Sequence, residues 1–339
     1  MVLRLTVIAA IMAAVFGALS LGATDVPTVR DLRYFRIGTG STAGTYFPIG
    51  EALASVISLP PGAPACKDKG RCGVPGLIGL AQATDGSIAN IIDVAAGRRE
   101  SGLAQGDLVY WSTRGAHAFA RSGPLKNIRV IANLYAESVH VVVRKDTGIG
   151  SIAGLRGKRL SVDRRDSGTY SDAIRVLAAY GLREVDFIPT YEDQSRAADL
   201  LLAGELDGFF FVGGYPSQGI ADLAARGAID ILPIDGKAAK SLTDAYPFFV
   251  SDKIPEGAYN GVKAVPTISV GAAWIVNAGL DEKLVYQITR ALWHPSNRRI
   301  LNRAHAKGRE ITLDTAIVGL AAPLHPGAAR YYREVSLID

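Results

Sequence analysis

Between Gly38 and Thr45 the chain reads GTGSTAGT, three glycines set among the hydroxyls of Thr39, Ser41, Thr42 and Thr45. Glycine lets the backbone turn sharply and come close to a ligand. The apolar Tyr34, Phe35 and Ile37 before this stretch predict a strand, and a helix is expected from about Thr45. A strand–loop–helix of this kind points unpaired N–H groups and a partial positive charge at whatever lies against the loop. The chemistry it suits is capture of a small anion, a carboxylate as readily as a phosphate. Thr39, Gly40, Ser41, Thr42 and Tyr46 are therefore candidate ligand contacts.

The same logic recurs further on. The run KRLSVD leads into Arg164-Arg165-Asp166-Ser167-Gly168-Thr169 and then a predicted helix. Ser167 and Thr169 can cap that helix, and Gly168 permits close approach. Capping alone is the plainer reading, but two such cradles facing each other could grip the two ends of an elongated anion, a dicarboxylate or an acidic amino acid. Arg164 could fork onto a second carboxylate of the ligand, or it could be a solvated charge at the rim. Gln105, in AQGD at a strand end, can donate to a carboxylate or accept from an ammonium. Asn90 could point the same way or cap a helix. In FFFVGGYPSQG, Phe209 to Phe211 are core material, whereas Gly213 leaves room for a ligand and Tyr215 offers a flat wall.

Catalysis finds little support. His117, His140, His294, His305 and His325 are dispersed, with no paired metal-ligand spacing, and His140 is expected to be structural. No serine elbow or phosphate-binding lysine loop is present, and the first cradle is GxGxxxG rather than the dinucleotide GxGxxG. No cofactor and no metal are expected. The formal net charge of +5 comes from scattered Lys and Arg, which argues against a nucleic-acid surface and fits the drawing of anions into a cleft.

The elements that position these residues begin after a leader. Arg4, an apolar run from Leu5 to about Leu21 and small residues from Ser20 to Ala23 form the layout of a secretory signal peptide cut near Ala23. The alternative is an uncleaved anchor; no cysteine stands at the boundary to carry a lipid. Export to the periplasm makes a disulfide the reading for Cys66 and Cys72, a clip on a Pro/Gly-rich loop. Beyond the leader, strands and helices alternate, the pattern of parallel sheets covered by helices. Expected strands include Ile128–Leu134, Val139–Arg144, Lys158–Val162 and Asp207–Val212; a short helix over Ser87–Ala96 should turn Ile88, Ile91 and Ile92 inward. The stretch Asp281–Asp339 is mostly helical and must pack on the N-terminal sheet. Lobe one is thus 24–143 with 267–339, lobe two is 144–266, and two strands join them as a hinge. This is the arrangement of a type II periplasmic binding protein, two α/β lobes around a central cleft.

The chain also resembles the TAXI family, the solute-binding subunits of one class of TRAP (tripartite ATP-independent periplasmic) transporters. The likeness is carried by RIGTGSTAGTYFPIG, GLAQGD, SVHVVVR with GLRGKRLSVD, DSGTYSDA, LDGFFFVGGYP and the tail ITLDTAIVGLAAPLHPGAARYYRE. The resemblance implies the two-lobed fold, capture of a carboxylate such as glutamate or 2-oxoglutarate, and delivery to TRAP membrane permease subunits, fused or separate. It places Thr39, Ser41, Thr42, Tyr46, Gln105, Ser167, Gly168, Thr169, Gly213 and Tyr215 at the cleft; a monomer is the default expectation. Arg164-Arg165-Asp166 departs from the family's usual small or acidic residues. The rival readings are a sensor or an ABC-type binding protein of the same fold, and an exported hydrolase or transferase.

Overall fold

The computed structural model describes residues 32–64, 66 and 72–339; the expected leader at 1–23 lies outside them. The first lobe opens with strand β1 (Arg33–Gly38), helix α1 (Tyr46–Ile57), two short strands β2 (Ser58–Leu59) and β3 (Val74–Pro75), and β4 (Leu77–Gln82). Helix α2 (Ser87–Ala95), strand β5 (Ser101–Gln105) and helix α3 (Gly106–Arg114) follow. Strand β6 (Ile128–Arg144) carries the chain into the second lobe, which holds β7 (Arg159–Ser161), α4 (Gly168–Ala179), β8 (Ile188–Thr190) and α5 (Gln194–Leu202). That lobe continues with β9 (Gly208–Gly213), α6 (Gln218–Ala225), β10 (Ile229–Ile231), α7 (Gly236–Ala245) and β11 (Val250–Ile254). Strand β12 (Val265–Asn277) returns, and α8 (Glu282–Leu292), α9 (Arg298–Ala304) and α10 (Pro326–Glu334) complete the first lobe.

One sheet runs through both lobes in the order β4-β1-β5-β12-β6-β9-β7-β8. Its centre is the antiparallel pair β6–β12, aligned from Ser138↔Ser269 to Ile128↔Asn277. The two halves of β6 have different neighbours. Ser138 faces Gly213 of β9, and the six residues from Ser138 to Val143 are paired with β9; the other side of the molecule, β5, pairs with Ala272–Val276 of β12. The two runs expected at Ile128–Leu134 and Val139–Arg144 are a single 17-residue strand. The intervening Glu137 and Ser138 are polar, but their backbones still have ladder partners in β12.

Burial explains the local sequence. The run GFFFVG of β9 is covered on both faces, Phe210 and Val212 in one core and Phe209 and Phe211 in another, which is why it lacks polar alternation. In α2 the buried stripe passes through Ile88, Ile91 and Val94; Ile92 lies beside it and is exposed, contrary to expectation. The C-terminal helices do pack on the first lobe: Leu284, Val285, Ile288 and Tyr332 join Phe35, Leu103 and Trp274 in one core. The tail motif earns its place by geometry. His325 Nδ1 accepts from the Gly327 N–H at 3.2 Å, and the Tyr332 hydroxyl donates to the Ile131 carbonyl at 2.9 Å.

A Cβ on Gly327 would stand 2.2 Å from the Glu282 carbonyl oxygen and 2.6 Å from the Tyr286 nitrogen, both backbone atoms of α8. We predict that Gly327→Ala forces α8 and α10 apart and lowers stability by about 1–3 kcal/mol. Urea unfolding of the variant measures it; an unchanged midpoint would show that the contact relaxes freely.

Candidate ligand-binding cleft

A cavity with about 550 Å³ of empty space, counted out to its mouth, lies between the lobes. Its position follows from topology, because the carboxyl ends of β1, β4, β5, β7, β8 and β9 all open toward it, the usual ligand side of such sheets. Helices start where those strands end. Thr45-Tyr46 at the start of α1, Ser87 of α2, Gln105 before α3, Ser167-Gly168 at α4 and Asp193-Gln194 at α5 all line the cavity. Five helix N-termini therefore converge on one space, each contributing partial positive charge and N–H donors.

The cleft is shut. Across it the Thr45 hydroxyl donates to the Gly214 carbonyl at 2.9 Å, the Ser217 hydroxyl to the Ala43 carbonyl at 3.1 Å, and Gln105 Nε2 to Asp172 Oδ2 at 2.8 Å. Ser41 and Ser195 hydroxyls meet at 3.0 Å. Arg164 spans the mouth, bonding Asp85 of lobe one and, at 2.8 Å, Asp193 of lobe two. Its guanidinium is thus already held by two carboxylates at the half-exposed rim.

Of the sequence-predicted contacts, Gly40, Ser41, Tyr46, Gln105, Arg164, Ser167, Gly168, Thr169 and Gly213 line the cavity. Thr39, Thr42, Asn90 and Tyr215 do not. The Thr39 hydroxyl is buried and donates to the Gln82 carbonyl at 2.7 Å. Asn90 donates to the Thr39 and Leu103 carbonyls at 2.6 and 2.8 Å and so ties the loop to β5. Thr42 faces solvent. Tyr215 lies beneath the Lys307 ammonium, 3.9 Å from its ring centre. Ser167 is an N-cap, accepting from the Tyr170 N–H at 3.0 Å, and Thr169 accepts from the Val212 N–H at 3.1 Å.

Sequence reasoning passed over Thr84, Asp85, Gly86, Ser87, Glu137, Asp163, Asp193 and Gln194. Asp85-Gly86-Ser87 and Asp193-Gln194 carry the same strand-end, helix-start signal as the cradles. Glu137 carries a different one, a carboxylate inside an apolar β run. It accepts from the Tyr46 hydroxyl at 2.6 Å on the cavity floor, and burial raises its carboxyl to about 8. Asp163 is raised to about 7 by burial as well. Near neutral pH Glu137 thus favours its neutral form, which can donate a hydrogen bond to a ligand oxygen, and once ionised it can accept from an ammonium.

His140 is structural. Its Nδ1 donates to the Ser138 carbonyl at 2.9 Å and its Nε2 accepts from Tyr259 at 3.0 Å, and burial lowers it to about 4. Cys66 and Cys72 form a disulfide away from the cavity. His294 comes within 3.7 Å of the Cys66 sulfur, but sulfurs bonded to each other offer no thiolate to a metal.

The architecture is that of the periplasmic binding proteins, two α/β lobes closing on a cleft. A family model described as the NMT1-like family matches residues 37–335, and the chain belongs to that family. Among solved structures it is similar to the periplasmic binding protein BugD, at 13% identity over 90% of this chain and 95% of that one, with a TM-score of 0.53. A protein from Bordetella bronchiseptica RB50 gives 16% identity over 91% and 90% of the two chains, with a TM-score of 0.52. The alkanesulfonate-binding protein SsuA from Xanthomonas axonopodis pv. citri, bound to MOPS, matches at 14% identity over 90% and 80%, with a TM-score of 0.41. At these identities the likeness to BugD and to the Bordetella protein is one of fold. No helix among the described residues is long and apolar enough to cross a membrane.

Two predictions follow from the geometry. A Cβ on Gly168 would sit 1.2 Å from Gln105 Oε1 across the cleft. Gly168→Ala is expected to hold the lobes apart, lengthening the distance between spin labels placed one on each lobe, while the unfolding midpoint stays near wild type. Gln105→Ala in the same chain should let them close again. The second concerns Glu137. With its carboxyl raised to about 8 from an ordinary 4.5, the folded chain binds more protons than the unfolded one between those values. Its contribution to stability is complete at low pH and is lost as pH rises through that window, by at most about tenfold in the folding constant per pH unit. Glu137→Gln should flatten this decline in denaturant unfolding measured from pH 5 to 8; an identical slope would place the titrating group elsewhere.

Proposed function

We propose that this chain is a periplasmic solute-binding protein of the TAXI type, capturing a small carboxylate and delivering it to TRAP permease subunits. The observation that carries the reading is the convergence of five helix N-termini on one inter-lobe cavity. A carboxylate is the small ligand that such N–H groups and hydroxyls satisfy best. Ser41, Tyr46, Ser87, Ser167 and Thr169 add side-chain oxygens from both lobes, as two grips on an elongated solute require. Glutamate, 2-oxoglutarate or a related dicarboxylate fits this set. Arg164 serves as a closing clamp between Asp85 and Asp193 rather than as a ligand fork. Closure follows binding only if the solute binds the shut form better than the open one, and contacts from both lobes supply that difference. The shut form then presents a surface made of both lobes to the permease.

Calorimetric titration of protein refolded free of carried-over ligand tests this against glutamate, glutamine, 2-oxoglutarate, succinate, malate, a neutral amino acid and a sugar. One-to-one binding confined to the dicarboxylates is expected. Binding of a neutral solute alone would overturn the carboxylate reading.

A further inference from the structure

Behind the cavity wall lies a second inter-lobe contact that ligand capture does not use. Asp107, in the first turn of α3 on lobe one, and Asp172, in α4 on lobe two, are both 0% exposed. Gln105, two residues before Asp107, donates to Asp172, and Arg175, three residues after Asp172, lies over Trp111, four residues after Asp107, so the two acids sit on facing stretches of the chain. Asp172 Oδ2 accepts from Gln105 Nε2 at 2.8 Å, but Asp172 Oδ1 and both oxygens of Asp107 find no donor. The groups facing the pair offset its charge only in part. Arg175 of α4 is close enough to be felt, yet it donates to the Ser171 carbonyl and hydroxyl at 2.5 and 2.7 Å and stacks 3.8 Å over the Trp111 ring of α3. Glu137 of β6 adds a third acid, and Gln105 of β5 is neutral. Among the described residues neither aspartate has a salt-bridge partner.

Two neighbouring carboxylates sealed from water resist being ionised together. The contact exists only when the lobes are together, because its halves belong to different lobes. We propose that Asp107 and Asp172 form a proton-held latch: closing the cleft takes up a proton, which bridges the two carboxyls, and opening releases it. This rests on the reading of the two lobes as a closing pair and is independent of which solute is bound. Burial pushes both groups upward in the closed form; for Asp172 the neighbouring Asp107 adds to the rise, whereas for Asp107 Arg175 and hydrogen bonds oppose it without cancelling it. The sign is fixed by that direction. Below the ordinary carboxylate range both forms carry the proton and pH has no effect. Above it the closed form binds more protons than the open one, so closure weakens as pH rises, by up to about tenfold per pH unit for one proton.

The test uses ligand-free full-length mature protein, with the radius of gyration followed by small-angle X-ray scattering from pH 5 to 9. The wild type should expand with rising pH, the closed-to-open ratio falling up to tenfold per unit. In Asp172→Asn, and separately in Asp107→Asn, an amide supplies the bridging donor at every pH, so this expansion should vanish while far-UV circular dichroism stays native. A wild-type radius that does not change, or the same expansion in both variants, overturns the latch. So does closure at pH 8.5 on adding sodium or calcium ions, which would assign the pair to a metal cation. None of these readouts depends on a solute, so failure of the carboxylate reading and failure of the latch are told apart.

Discussion

The structure hangs on the pairing of β6 with β12. These two long antiparallel strands are the rails along which both lobes are built, and their pairing runs from one lobe's sheet into the other's, with irregularities at Ala272/Ala273 and Trp274/Ile275. Every strand that points a helix at the cavity is referred to that pair. Because the rails cross the bottom of the cleft, the residues at the crossing are buried from all sides. Glu137 and Ser138 sit there, Ser138 donating to Asp252 at 2.6 Å and Glu137 receiving Tyr46. A bend anywhere in this segment changes the depth of the cavity and the angle between the lobes together.

Electrostatically the cleft is a balance of opposites. Helix N-termini bring partial positive charge without any ionised side chain, and the backbone that carries it is fixed by the ladder behind. Against this stand Glu137 and Asp163, carboxyls so buried that their neutral forms persist near neutral pH. Among the described lining residues the one full cation is Arg164 at the solvent-facing mouth, and it is occupied by Asp85 and Asp193. The inner lining thus offers oriented dipoles and hydroxyls rather than full cations.

The fold was legible in the sequence because its signals are local: β-α alternation, the glycine and hydroxyl cradles, and a helical tail with no sheet of its own. The cradles at Ser41 and Ser167 were legible for the same reason, since strand, loop and helix start are adjacent in the chain. What escaped was set by pairing at a distance. Thr39 and Asn90 have the right types and positions, but each is consumed by carbonyls on neighbouring strands. Tyr215 follows the right strand, yet Lys307 from the other lobe's tail covers it. Glu137 could be read only by asking why an acid interrupts an apolar run, and Arg164 only by knowing that Asp85 stands opposite.

The return of the chain from lobe two to lobe one has a consequence for how the molecule is made. Lobe two is nearly contiguous and can condense from its own residues. Lobe one cannot, because β5 needs β12 as its neighbour and the core around Trp274 is completed by α8 and α10 near the C-terminus. Its N-terminal third must therefore wait, with apolar strands unpaired, until nearly the whole polypeptide is available.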